Sequence, residues 1–252
     1  MIAAGLVANG ARVYISSRKD ISQLAQYLTQ RGPGECICLG KLDVASEKSI
    51  ETFARLLADA EPQGIDVLVN NAGTNWAEPV EEHSAKGWDK VYDVNTRGVF
   101  LMTKHMLPLM ARRDTKKRGR IINIGSIDGI QIPILNTFAY SSGKAAVTHL
   151  TRVMAGKFGS EGRNVNVNCI APGPFVSRMM RQTIAAVGGD RVLGQTTAIG
   201  RIGDPLDMAG AVLFLCSRAG EFVNGALLTL DGGLVVMPKG AVHPNPKSLS
   251  KL

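Results

Sequence analysis

The sequence predicts an α/β fold, a doubly wound parallel sheet with helices on both faces, on three observations. Short runs rich in Val, Ile and Leu alternate with longer stretches of helical period. Those of the runs richest in Val, Ile and Leu read as strands buried on both faces. No linker and no internal repeat interrupts the alternation, so residues 1–238 are expected to form one domain.

The opening IAAGLVANG reads as a helix, and the strand 12–16 follows it. A second helix is expected to begin near Asp20 and lead to the strand 36–42. Across 46–60, Ile50, Phe53, Ala54 and Leu57 recur on one helical face, ahead of the strand 65–70. One long helix is expected over 88–112, then the strand 120–125, a helix over 138–159 and the strands 164–170 and 227–230. After Asp231-Gly232-Gly233 the pattern stops, and residues 239–252, polar with two prolines, are expected as an exposed tail.

Hydrophobic residues make up 45% and charged residues 20%, the balance of an ordinary folded domain. No run approaches the roughly 20 apolar residues that cross a bilayer, and the opening residues lack the basic segment and cleavage site of a secretory signal. Cys36, Cys38, Cys169 and Cys216 lack zinc-ligand spacing and read as reduced, structural thiols, so no metal site is expected. The net charge of +8 suits nucleic acid, anionic lipid or phosphate-bearing small molecules. The basic residues are scattered, however, apart from Arg112, Arg113, Lys116, Lys117, Arg118 and Arg120, which read as a solvated loop. No nucleic-acid partner and no membrane span are therefore expected; a phosphate-rich cofactor or a coenzyme A ester gains from the same charge.

Tyr140-Ser-Ser-Gly-Lys144 places a phenol and an ammonium one helical turn apart on one face. A free tyrosine titrates near pH 10, and a nearby cation stabilises phenolate, so the pair is expected to hold an acidified Tyr140 able to exchange a proton with a carbonyl or an alcohol. Such a group suits a carbonyl oxygen better than a carbon–carbon double bond. Ser126 follows the strand RIINIG, where a hydroxyl at a strand's carboxyl end faces the ligand crevice of such sheets; it also reads as a turn serine beside Asp128-Gly129.

With Asn70-Asn71-Ala72-Gly73, Asn95, Ser126, Tyr140-x-x-x-Lys144 and Pro172-Gly173 in this order, the chain resembles the short-chain dehydrogenase/reductase family from Met1 to about Gly233, and is similar to its 3-oxoacyl reductase branch. The resemblance implies a Rossmann-type sheet, with Tyr140 as general acid/base, Lys144 lowering its pKa and binding the nicotinamide ribose, Ser126 orienting substrate and Asn95 holding a proton-relay water. It implies further that Asp43 and Val44 contact adenine, that Asn70, Ala72 and Gly73 pack beside the cofactor, and that Pro172 and Gly173 open a segment covering nicotinamide. Residues 176–200 read as a substrate lid. Asp43 reads equally as a turn residue, and Asn95 as a helix-interior amide.

No carboxylate ends the strand 12–16, where one would favour NAD; Ser17 and Arg18 there, followed by Lys19, suit a 2'-phosphate and point to NADP(H), though the two cations also fit a solvated loop. The resemblance implies a homodimer or homotetramer through the helices 88–112 and 138–159. It also implies a first strand and Gly-rich loop ahead of a helix like the one that opens this chain. The expectation is a chain shortened at its start, with two open sheet edges between 12–16 and 65–70. A non-catalytic dinucleotide-sensing or scaffold protein is the competing class. Ser250-Lys251-Leu252 matches the S-K-L signal of peroxisomal import, which makes the import receptor an expected partner and coenzyme A esters expected substrates.

Overall fold

The computed structural model describes residues 1–111 and 117–238. In chain order they form α1 (Ile2–Ala8), β1 (Arg12–Ser17), α2 (Ser22–Thr29), β2 (Glu35–Lys41), α3 (Glu47–Ala60), β3 (Val67–Asn70), α4 (Ala85–Tyr92), a π-helical turn (Asp93–Arg97) and α5 (Gly98–Ala111). Next come β4 (Gly119–Ile124), a 3-10 turn (Ile127–Gly129), α6 (Phe138–Ser160), β5 (Val165–Pro172), α7 (Arg181–Ala186), α8 (Asp190–Gly194), α9 (Pro205–Cys216) and β6 (Leu227–Leu230).

All ladders are parallel. One sheet has the order β3-β4-β5-β6, and β1 with β2 forms a separate pair, Arg12 opposite Glu35 and Ile15 opposite Cys38. Among the described residues no ladder joins β1 to β3, and Val13 and Ile15 face Leu68 and Val69 across one cleft. The open edges expected from the sequence are thus present. Helices bridge the gap instead. Gly5 of α1 sits so close to α9 that an added Cβ would lie 2.5 Å from the Ala209 Cβ, and the Arg97 guanidinium donates to the Ala45 carbonyl at 2.9 Å.

Both faces of the larger sheet are buried, polar residues of β4 and β5 included. Ile121 packs with Leu57, Met106 and Val167 on one face, whereas its neighbour Ile122 packs with Val212 and Leu215 on the other. A third cluster, Val7, Ala25, Leu28 and Cys36, fastens α1 and α2 to the β1–β2 pair.

The helix expected over 88–112 is three elements, and residue 112 lies outside the described residues. The π-helical turn inserts one residue of phase at Asp93–Arg97, which separates α4 from α5. Of the basic cluster, Arg112, Arg113 and Lys116 also lie outside the described residues, as does the tail 239–252. Arg118 and Arg120 correct the solvated-loop reading. Arg118 Nε donates to Asn166 Oδ1 at 2.6 Å, and Arg120 is a buried β4 residue whose Nη1 donates to the Arg118 carbonyl at 2.7 Å.

Candidate active site

The carboxyl end of β4 delivers Ser126 to the cleft. Gly125 is needed there, because a Cβ on it would lie 2.8 Å from Cys169 Sγ. Ser126 is extended, and its hydroxyl accepts from Asp128 N at 3.1 Å, capping the 3-10 turn. It also faces the Tyr140 hydroxyl closely enough to favour the phenolate. The two sequence readings of Ser126, turn cap and cleft hydroxyl, therefore hold together.

The turn is docked onto α6 at Gly129, where an added Cβ would meet Ala145 N and Lys144 C, both at 2.7 Å. Lys144 is buried, its Nζ donates to the Ile124 carbonyl at 2.7 Å, and it lies 5.6 Å from the Tyr140 ring centroid. Ser126, Tyr140 and Lys144 thus converge on one cleft wall. The expected acidification of Tyr140 is corrected. Burial pushes the phenol up to about 12, Ser126 counters part of that shift, and the Asp128 charge adds to it. Burial also pulls the Lys144 ammonium down to about 8. Two neighbouring groups withdrawn from water both favour their neutral forms, and the Lys144 ammonium spends a proton on a backbone carbonyl.

Asn95 sits in the π-helical turn, fully buried. Its Oδ1 accepts from Thr74 N and its Nδ2 donates to Thr74 O, both at 2.8 Å, so it clamps the chain leaving β3. The helix-interior amide of the sequence reading is thus held, through both side-chain atoms, on the chain leaving β3. The clamp places Gly73 between Asn95 and Lys144: a Cβ on Gly73 would lie 3.6 Å from Asn95 Oδ1 and 3.9 Å from Lys144 Nζ.

The residues expected to hold a cofactor line the same cleft: Ser17, Arg18, Asp43, Val44, Asn70, Ala72, Gly73, Pro172 and Gly173. Arg18 is exposed at its mouth, and the Ser17 hydroxyl turns back to Lys19, donating to its carbonyl at 2.8 Å. The Asp43 carboxylate accepts from Ala45 N at 3.0 Å, as its turn reading requires. Asn70 lines the cleft while spending its amide protons inside the protein. Gly173 must be glycine, since a Cβ would lie 2.7 Å from the Asp231 Cβ. The cleft measures about 2030 Å³. That exceeds the roughly 300–1,000 Å³ of an ordinary ligand pocket because the apolar trough between β1 and β3 opens into it.

Residues 176–200 contain α7 and α8, and Ser177, Arg178, Met180 and Thr183 face the cleft. The ends of this segment are pinned where Phe175 pairs with Gly203, whose Cβ position would overlap the Phe175 ring, and where Ile199 N donates to Gly232 O at 3.2 Å. All four cysteines are free thiols. Among the described residues, Glu47, Glu51 and His105 approach ligating spacing, but the Lys104 ammonium sits 2.8 Å from Glu47 Oε1 and already supplies the cation there.

A family profile described as Enoyl-(Acyl carrier protein) reductase matches residues 1–235. The Rhamnolipids biosynthesis 3-oxoacyl-[acyl-carrier-protein] reductase of Pseudomonas aeruginosa is 36% identical over 235 residues, 92% of this chain and 90% of that protein. The chain belongs to the short-chain dehydrogenase/reductase family. The gluconate 5-dehydrogenase of Gluconobacter oxydans is 33% identical, covering 93% of this chain and 89% of its own. Among solved structures, the Pseudomonas aeruginosa RhlG/NADP active-site complex superposes with a TM-score of 0.84 at 35% identity, over 92% of this chain and 90% of that one.

In this short-chain dehydrogenase/reductase, a buried polar brace escaped the sequence reading. Asn70 Nδ2 donates to Asn123 Oδ1 at 2.8 Å, and Asn123 Nδ2 donates to Thr151 Oγ1 at 2.9 Å. Thr103 Oγ1 also accepts from Asn70, at 3.3 Å, so the brace ties β3 and β4 to α5 and α6 beneath the site. The signal was Asn123 itself, one amide inside the apolar run RIINIG.

Proposed function

We propose that this protein reduces the ketone of a 3-oxoacyl thioester, of coenzyme A type or on a polyketide-type chain, with NADP(H) as cofactor. The convergence of Ser126, Tyr140 and Lys144 on one wall of a cleft whose mouth carries Arg18 supports the reading above all. Relatives named as 3-oxoacyl-acyl-carrier-protein reductases, and a similar structure solved with NADP, support it further.

Bound NADPH would supply the hydride. Lys144 has ammonium protons beyond the one given to Ile124, and its place beside Gly73 suits a ribose hydroxyl; Arg18 suits a 2'-phosphate. Ser126 donates a hydrogen bond to the substrate carbonyl oxygen, and Tyr140 delivers its phenolic proton to that oxygen. A phenol held near 12 is a poor base in the free protein, so a cationic nicotinamide or a Lys144 ammonium freed from Ile124 must lower it before the reverse reaction runs.

The decisive assay is NADPH oxidation with a panel of 3-oxoacyl-CoA esters and simple ketones, comparing wild type with Tyr140→Phe. A loss of at least about a hundredfold is expected. Equal rates would remove the enzymatic reading and leave the dinucleotide-sensing one. The helices α5 and α6 expose Phe100, Phe138 and Val153, which supports a homo-oligomer through that face, to be checked by light scattering. Ser250-Lys251-Leu252 supports peroxisomal import; an amino-terminal fluorescent fusion should enter peroxisomes and lose that address when the three residues are deleted.

A further inference from the structure

We propose that the substrate carries a long apolar acyl chain, which lies in the cleft against the loop 132–135 and against Met179 and Met180. The inference rests on the ketone-reductase reading above and adds to it the length of the acyl group. These residues line the same cleft as Ser126, Tyr140 and Lys144. The loop is fixed at both ends to the elements that carry the reacting groups. Gln131 N donates to the Ile127 carbonyl at 2.9 Å, in the turn that Ser126 caps. At the other end Thr137, the residue before α6, donates its N–H to the Leu135 carbonyl at 2.8 Å.

Ile132 and Ile134 are 95% and 100% exposed, and Leu135 is half-exposed. A single exposed isoleucine is ordinary, but the uncharged run Ile-Pro-Ile-Leu lining a cleft beside its reacting groups marks a surface that an apolar ligand covers. A second apolar patch comes from the segment after β5, which is anchored where Phe175 pairs with Gly203. There Met179 is exposed and Met180 half-buried, and Leu193 of α8 lines the cleft as well. Methionine side chains, unbranched and flexible, suit a chain that presents no fixed shape. A short acyl group ends near the reacting groups and leaves both patches in water, whereas each further methylene withdraws apolar surface of chain and protein together.

The experiment measures NADPH-dependent reduction of 3-oxoacyl-CoA esters of four to ten acyl carbons by the intact protein. Full burial of a methylene is worth about fourfold, and a chain with one side in water keeps about twofold per methylene. Wild-type kcat/KM should therefore rise at least about thirtyfold from 3-oxobutanoyl-CoA to 3-oxodecanoyl-CoA. In Ile132→Ser/Ile134→Ser that ratio should fall at least about fivefold, and in Met179→Ser/Met180→Ser likewise, while Ile132→Leu/Ile134→Leu keeps it. Both isoleucines stand in water, so Tm should not move in the isoleucine variants. Turnover with no preference for chain length, or an unchanged ratio in either serine variant, overturns this inference alone. A change of mass in light scattering in Ile132→Ser/Ile134→Ser would make the loop an interface between copies of this chain, and overturns it too. Absence of NADPH oxidation with every ester overturns the ketone-reductase reading, and the chain-length inference with it.

Discussion

Lys144→Met should stabilise the protein without cofactor while removing its activity. Lys144 is buried, and its pKa falls from 10.5 to about 8, a shift that corresponds to roughly 3 kcal/mol of penalty for the charged form. Methionine fills a similar volume with no charge to desolvate, but it leaves the Ile124 carbonyl without its 2.7 Å donor, a loss of about 1–2 kcal/mol. The net expectation at pH 7 is a gain of about 1–2 kcal/mol, or some 2–8 °C in Tm for a chain of this size. The pH dependence has a definite sign. Below about pH 8 the lysine is charged in both folded and unfolded states and the whole penalty applies. Between about 8 and 10.5 the unfolded chain binds the extra proton, so wild-type stability rises with pH and the advantage of Lys144→Met shrinks. Urea unfolding of both proteins at pH 7.0 and 9.5 measures this, and the difference between them cancels all other titrations. A variant less stable than wild type at pH 7, or an advantage that grows with pH, would refute the burial argument.

Other outcomes follow from the packing around the site. Asn123→Ala removes the middle of the polar brace and leaves Asn70 and Thr151 short of a partner, so urea unfolding should report a loss of about 2–4 kcal/mol. Gly129→Ala should cost about 1–3 kcal/mol by calorimetry and lower kcat, because a Cβ 2.7 Å from Ala145 N forces the Ser126 turn off α6. Arg18→Glu should lower kcat/KM for NADPH by at least about tenfold while NADH changes little, measured by steady-state kinetics with each cofactor.

Much of the molecule was legible along the chain. The apolar runs announced parallel strands because both faces of the larger sheet are covered, as Ile121 and Ile122 packing on opposite sides makes plain. The spacing of Tyr140 and Lys144 was legible too, since a four-residue step on a helix fixes a shared face. The π-helical turn was not, because one residue of extra phase leaves no mark in the periodicity of 88–112. Nor was the Asn95 clamp on Thr74, whose partners stand twenty-one residues apart.

By itself, then, the sequence determined the class of fold, the order of its elements and which residue types stand near one another along a helix or at a strand end, all properties of short-range geometry. Only the tertiary structure decided that Ser126 meets Tyr140, that Asn70, Asn123 and Thr151 join, and that Tyr140 is pushed up while Lys144 is pulled down. Those depend on how much water each group loses and on contacts between distant segments, and a charge is stabilised or penalised by the space around it, not by its neighbours along the chain.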